Sequence, residues 1–261
     1  MVNMLNAKKI RHPKIFFFAI SILIALPAFY FFPFFLKREV PFQEFSIEGE
    51  KVLIVSDLHL ENNKRDLSCI GEFLDKNDIG NLVIGGDLFD MKQNTELSDK
   101  LINTVKEMLG IRDGKTNRFF YVLSLHDHDP MFKKEKEEMK NGKEEINIVK
   151  GILRLNAKNN QSFYVLHGDY LAKDGGIPYL INRFGISLLY EKIVKKAIGA
   201  KNGDWAIMGH SHLPGIDYGS RVANTGSWLN RIVSASDTGI LLTEGEDLYY
   251  KAELIKIPCE E

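Results

Sequence analysis

The stretch Val52-Leu53-Ile54-Val55-Ser56-Asp57-Leu58-His59 decides the fold. Four aliphatic residues in a row, three of them β-branched and followed by a polar turn, read as a strand buried on both faces, and such strands belong to parallel sheets covered by helices. The pattern then recurs. Leu67, Ile70 and Leu74 stand at helical spacing, an apolar run covers 82–84, Leu97, Leu101, Val105 and Met108 are again helical, and a third run covers 119–123. Strand, helix, strand, helix, strand implies right-handed crossovers and a largely parallel sheet. Further runs at 163–166, 205–208, 221–223 and 239–242 have less helix between them and predict a second, more mixed sheet. The charged run 133–140 reads as a solvated helical face. Residues 40–261 are expected to form one domain.

The chain has 261 residues, 44% apolar and 26% charged, which excludes a disordered tail, a coiled coil or a small disulfide scaffold. Net charge is −1, but residues 1–38 carry +6 and residues 39–261 carry −7. With no basic field over the domain, nucleic acid is not an expected partner. Residues 15–36 hold no charge and eight of the 17 Phe. As a helix they reach roughly 33 Å, enough for a hydrocarbon core of about 30 Å. They predict one transmembrane helix, kinked at Pro27 and Pro33 and longer than the core of a cleaved signal. Four basic residues precede it (Lys8, Lys9, Arg11, Lys14) and Lys37, Arg38 and Lys51 follow, so positive-inside counting predicts a single-pass membrane protein with an extracytoplasmic domain. Cys69 and Cys259 are far apart and in no metal-ligand spacing, which predicts neither a disulfide framework nor a zinc knot.

Six of the seven His, all but His12, lie in or just after the runs read as strands. The groups are Asp57-Leu58-His59, Gly86-Asp87, His126-Asp127-His128-Asp129, His167-Gly168-Asp169 and Gly209-His210-Ser211-His212. Beyond the carboxyl ends of neighbouring strands, side chains remote in sequence converge on one point. Imidazole and carboxylate without thiolate suit Mn²⁺, Fe²⁺, Zn²⁺ or Co²⁺. Such a set exceeds the needs of one ion, so two divalent ions are expected. Taken singly, Asp-x-His reads as a turn or cap and Gly-Asp as turn chemistry. Five such groups in this order, each after a strand, are not explained that way.

In this layout the sequence resembles the calcineurin-like metallophosphoesterases over residues 51–230, nearest to the UDP-diacylglucosamine pyrophosphatase-like branch. The resemblance implies an α/β fold, a two-sheet α/β/β/α sandwich. It implies hydrolysis of phosphoesters with two divalent ions as cofactors, Mn²⁺ first; the branch's substrate is not carried over, and a phosphodiester or pyrophosphate, lipid-linked or nucleotide-linked, is expected from the apolar segment at 15–36 together with the insertion at 170–204. It places Asp57, His59 and His212 on one ion, Asp87 between both, and Asp127, His167 and His210 on the other. His128 would face the phosphate, with Asp129 as its orienting partner. The chain departs from the family at Asp127, where Asn is usual, and from that branch at His128, where it carries Arg. A second register aligns Ser124-Leu125-His126-Asp127 with the motif but sets apolar Leu125 where a ligand oxygen is needed. The chemistry expected is in-line attack by metal-bound hydroxide, His128 giving a hydrogen bond or proton.

Asp90 reads as a partner to a ligand or a helix cap. Asn224-Thr225-Gly226-Ser227 reads either as the family's tail motif or as a polar turn. Substrate choice would reside in residues 170–204, where 178–199 read as one helix or two, packed in the core or capping the site. The alternative to an enzyme is a non-catalytic binding platform of the same fold, tethered to the membrane; metal content and turnover separate the two.

Overall fold

The structure, a computed structural model, describes residues 40–90, 99–112, 114, 117–125, 128–130, 136–141, 144–230, 234–245 and 247–259. The chain divides into two units, Met1–Arg38 and Glu39–Glu261, and the described residues all belong to the second. The transmembrane helix expected at 15–36 lies outside them. Among the described residues, no helix is long and apolar enough to cross a membrane.

In chain order the elements are β1 (Phe42–Ser46), β2 (Val52–Val55), α1 (Cys69–Asn77), β3 (Asn81–Ile84), α2 (Asp99–Met108), β4 (Arg118–Leu123), β5 (Lys136–Asn141), β6 (Glu144–Lys150), β7 (Ile152–Asn156), β8 (Ser162–Val165), α3 (Gly176–Phe184), α4 (Leu189–Ala197), β9 (Trp205–Met208), β10 (Gly215–Asp217), β11 (Val222–Asn224), β12 (Thr238–Glu244) and β13 (Tyr250–Lys256). One sheet runs β13-β12-β2-β3-β4-β6-β5 and the other β1-β7-β8-β9-β11-β10. Strands β2, β3 and β4 are parallel neighbours, as the alternation of runs implies, and β6, which the sequence reading did not mark, extends them in parallel beyond β4. The second sheet mixes parallel β8, β9 and β11 with antiparallel β7–β8 and β10–β11 pairs.

Alternation along these strands builds two cores. Leu53, Val55, Leu82, Ile84, Phe119 and Tyr121 face the helix layer and meet Ile70, Leu74, Ile102 and Val105. Their neighbours Val52, Ile54, Val83, Phe120 and Val122 face the other sheet and meet Leu153, Phe163, Val165 and Ile207. Helix α4 covers the far side of the second sheet over β9 and β11, burying Tyr190 and Val194. The result is the expected α/β sandwich of two sheets with helices outside.

Two expectations are corrected. Residues 136–140 form strand β5, paired antiparallel with β6 at the sheet's edge, in place of a helical face; 133–135 lie outside the described residues. Edge strands tolerate charged residues, and a uniformly polar run carries no period to tell helix from strand. Cys69 and Cys259 are joined in a disulfide across 190 residues, with Cα atoms 5.3 Å apart. The chain after β13 returns to α1, where Ile257 is fully buried in the helix-side core.

Candidate metal centre

Every candidate follows a strand end. Asp57 and His59 come after β2, Asp87 after β3, His128 and Asp129 after β4, His167 after β8, and His210 and His212 after β9. The loops after β2 and β3 continue to pair beyond the sheet, Asp57 N donating to Gly86 O and His59 N to Asp87 O at 3.1 and 3.0 Å. Gly209 lies where any side chain would press on Ser56 and the Asp57 carboxylate, and at Gly86, φ +88°, a Cβ would fall 2.6 Å from His167 Cβ. Five of the candidates, Asp57, His59, Asp87, His210 and His212, have φ between 49° and 66°. Asp and His tolerate this left-handed region better than most side chains, and such strain gathers at functional sites.

Two trios bring ligand atoms within 4.8 Å of one another: Asp57, His59 and His212, and Asp57, Asp87 and His167. Asp87 Oδ2 is 3.9 Å from His59 Nε2 and 3.3 Å from His167 Nε2, so it reaches imidazoles of both trios. His212 Nε2 is 3.1 Å from Asp57 Oδ1. His210 is in neither trio, but its Nδ1 stands 3.2 Å from His167 Nε2. Three imidazoles are held by one nitrogen with the other turned inward. His59 Nδ1 meets Asp90 Oδ1 at 2.8 Å, His167 Nδ1 meets Gly85 O at 3.2 Å, and His210 Nε2 meets Ala172 O at 2.8 Å. This is how outer partners fix the tautomer of metal-ligating histidines. The inward His59 Nε2 and the Asp87 Oδ1 are buried with no hydrogen-bond partner, an arrangement that costs free energy unless a cation takes them up. The donor set therefore fits divalent ions.

The electrostatics agree. Burial pushes Asp57 upward, but His212, through charge and hydrogen bond, and then His167 and His59 pull harder, leaving it below the usual carboxylate range. Asp87 is likewise lowered, burial being outweighed by His167. Burial lowers His59 and His167, yet the Asp90 hydrogen bond raises the first and Asp87 raises the second, so both stay above the ordinary imidazole value. His210 is pushed down to about 4 by burial and by the charge of His167.

His128 is exposed beside the cluster, its ring 6.0 Å from that of His59 and nearly perpendicular to it. Asp129 is not its partner. The buried Asp129 carboxylate accepts Asp87 N and Leu88 N at 3.1 Å, Ser124 N at 2.7 Å and the Tyr121 hydroxyl, and none of its hydrogen bonds reaches His128. It fixes the loop bearing Asp87. Burial, then the Asp87 charge, raises it above the ordinary carboxylate value. Asp127 lies outside the described residues.

The 224–227 segment, read in the sequence as a tail motif or a polar turn, supports the site, and so do Ser56, Trp228 and Glu191, which carry no signal in the sequence read alone. Ser56 Oγ bonds the Asp57 carboxylate and Thr225 Oγ1. Asn224 Nδ2 donates to Gly209 O at 2.6 Å and Trp228 N to Asp57 O at 3.1 Å, so the 224–228 segment ties two ligand loops together. Glu191, fully buried, accepts from Asn182 Nδ2, Asn224 Nδ2 and Ser211 Oγ at 2.8 to 3.1 Å, and Tyr190 OH donates to Gly168 O at 2.6 Å. Helix α4 thus grips the loops of His167 and His210.

The sequence matches no protein-family model and no curated protein. Among solved structures it is similar to Vps29 of Entamoeba histolytica complexed with zinc (17% identity, 80% of this chain and 99% of that one, TM-score 0.41). It is also similar to the phosphoesterase YfcE of E. coli (16%, 80% and 100%, TM-score 0.38) and to an archaeal phosphodiesterase (14%, 78% and 99%, TM-score 0.37). Likenesses this loose bring no activity to the chain.

Proposed function

We propose that this chain is a hydrolase of phosphoesters that uses two divalent metal ions. The observation that carries the reading is the pair of carboxylate–imidazole trios sharing Asp57 at the carboxyl ends of strands from both sheets. Asp57, His59 and His212 would hold one ion, His167 and His210 the other, and Asp87 both; Asp127 is expected on the second ion from the sequence alone. Held there, divalent ions would supply an activated water and charge neutralisation at a phosphoryl group. Asp90, Gly85 O and Ala172 O keep the imidazoles in the ligating tautomer, and Asp129 holds the Asp87 loop. His128, exposed at the rim, stabilises developing charge on the leaving oxygen or gives it a proton. The natural substrate is a phosphodiester or pyrophosphate, lipid-linked in keeping with the apolar segment 15–36, and the domain works outside the cytoplasm. The Cys69–Cys259 disulfide supports that location, since such bonds persist in oxidising compartments.

Full-length protein supplied with Mn²⁺ tests this on bis(p-nitrophenyl) phosphate. Turnover should vanish on chelation and in Asp57→Asn. In His128→Ala it should fall by about 10²–10⁴ with metal content intact, the usual contribution of general acid–base catalysis. Bound ions without turnover of phosphomonoesters, phosphodiesters or nucleoside diphosphate lipids would identify a binding platform, and absence of bound ions would remove the reading altogether.

A further inference from the structure

A cavity of about 380 Å³ is lined by Lys192, Lys195 and Lys196 of α4, by Asn202, and by Gly219 and Ser220 of the turn before β11. It stands at the amino ends of β9 and β11, since Lys195 Nζ donates to Asp204 O and Ser220 O, at 2.7 and 2.8 Å, just ahead of those strands. The candidate ligands His210 and His212 follow the carboxyl end of β9, roughly 13 Å of strand away. The cavity is therefore separate from the metal centre and does not depend on what that centre does. We infer that it is a binding site for a phosphate group, borne by a soluble molecule or by a lipid headgroup.

Charge carries the inference. Three lysines line the cavity, and Lys201 and Arg221 adjoin lining residues, against the carboxylates of Asp204 and Asp217, in a domain whose total is −7. Both carboxylates are already engaged: Asp217 Oδ2 pairs with Lys192 Nζ at 2.7 Å, and Asp204 Oδ2 accepts Lys201 N at 3.0 Å. Among the described residues no carboxylate lies within ion-pair distance of Lys195, Lys196, Lys201 or Arg221. Lys195 decides the matter. It is 7% exposed, and its ammonium meets two carbonyl oxygens, which leaves one N–H unused and no counter-ion in contact. Burial lowers it below the ordinary lysine value, Asp204 opposing the shift and Arg221 adding to it. Lysines in the last turn of a helix ordinarily complement its dipole, which accounts for the exposed Lys196 but not for a buried ammonium. An anion in the cavity supplies the missing charge. Three ammonium groups at i, i+3 and i+4 approach it from separate points, which suits the oxygens of a tetrahedral phosphate better than the two coplanar ones of a carboxylate. The volume falls within the range of about 300–1,000 Å³ usual for small-molecule sites, so there is room for the substituent that the phosphate bears.

The test is lysine footprinting of full-length, Mn²⁺-loaded protein in phosphatidylcholine nanodiscs, with the rate of acetylation of each lysine read by mass spectrometry. Because the readout is local, phosphate bound at the metal centre does not disturb it. Inorganic phosphate should slow acetylation of Lys196 by about tenfold at ten times its half-saturating concentration, as simple occupancy requires. Lys251, exposed on β13, should not respond. Protection of Lys196 in discs containing phosphatidylglycerol, without added phosphate, would identify the headgroup as a source; protection by phosphate alone would identify a soluble ligand. Lys195→Met should raise the half-saturating phosphate concentration by about 10–100-fold, the usual loss of a hydrogen bond to a charged group. Should that variant fail to fold, Asn202→Asp, which sets a carboxylate at an exposed lining position, should shift it in the same direction. Equal slowing at Lys196 and Lys251, or slowing reproduced by chloride at matched ionic strength, would reduce the effect to screening and overturn the site. No protection by either phosphate or phosphatidylglycerol, or an unchanged half-saturating concentration in a folded variant, would overturn it too, and each leaves the metal centre standing.

Discussion

At the scale of single residues, the candidate centre is defined by what His59, His167 and His210 do with their second nitrogen. His59 spends Nδ1 on Asp90 and leaves Nε2 buried and unpartnered. Removing that outer partner with Asp90→Ala should weaken metal binding by about 10–100-fold, the usual effect of losing such a contact. A titration of Mn²⁺ followed by metal analysis checks it, and wild-type affinity in the variant would refute the role. The same residues set a pH dependence. His59 and His167 are held above their ordinary 6.5 by Asp90 and Asp87, and a protonated imidazole cannot ligate. Binding must therefore release protons, and affinity should begin to fall at a pH above 6.5 and keep falling as pH is lowered. Calorimetry in two buffers of different ionisation enthalpy reads the protons directly; binding enthalpies that coincide after buffer correction of zero protons would contradict it. The ligand types and their order were legible in the sequence because chemistry restricts them to Asp and His after strands. The partner of Asp129 was not, because the pairing with Tyr121, eight residues away on β4, depends on how that strand faces the Asp87 loop.

At the scale of elements, strands of continuous aliphatic residues were readable almost to the residue: 52–55 and 205–208 coincide with β2 and β9. The edge strand β5 was not readable, since charge runs lack a period, and of the two readings open for 178–199, one helix or two, the structure has two, α3 capped at Gly185 and α4 preceded by the left-handed Leu188. Helix α4 supplies the least expected part of the site, the buried Glu191. Among the described residues no cation pairs with it, and it is held by neutral donors from α3, β11 and the His210–His212 loop. Glu191→Ala would strand those donors, each at about 1–3 kcal/mol, and should lower both thermal stability and metal affinity. Glu191→Gln retains an acceptor for Ser211 and Asn224 and should retain the metal. Burial raises Glu191 above its ordinary 4.5, so ionisation is harder in the folded chain than in the unfolded one. Relative to Glu191→Gln, the wild type should lose stability as pH rises from about 4.5 through the raised value. Parallel denaturant titrations from pH 4 to 7 measure that difference, and a gap that stays constant or moves the other way would show that the carboxylate is not penalised.

At the scale of the whole domain, two cores share one sheet, and the ligand loops lie where the carboxyl ends of strands from both sheets meet. The amino-terminal and carboxyl-terminal portions are joined by Cys69–Cys259, a closure of 190 residues that spacing in the sequence could not disclose. In the chain-entropy treatment a loop of that length contributes ~5 kcal/mol by restricting the unfolded state. Removing a native bridge typically costs about 2–5 kcal/mol, which for a domain of this size corresponds to roughly 5–15 °C in Tm. Cys69→Ala with Cys259→Ala should therefore melt that much lower than the oxidised wild type. Since neither cysteine belongs to the ligand trios, metal content at 25 °C should not change. The wild type with reductant should follow the double variant. Equal melting of oxidised and reduced protein would mean that the pair contributes nothing to stability. The same bond reports the compartment: in intact cells a maleimide reagent should fail to modify Cys69 and Cys259 until a reductant is added. Modification without reductant would place the domain in a reducing compartment, and the substrate proposed for it would have to be sought there.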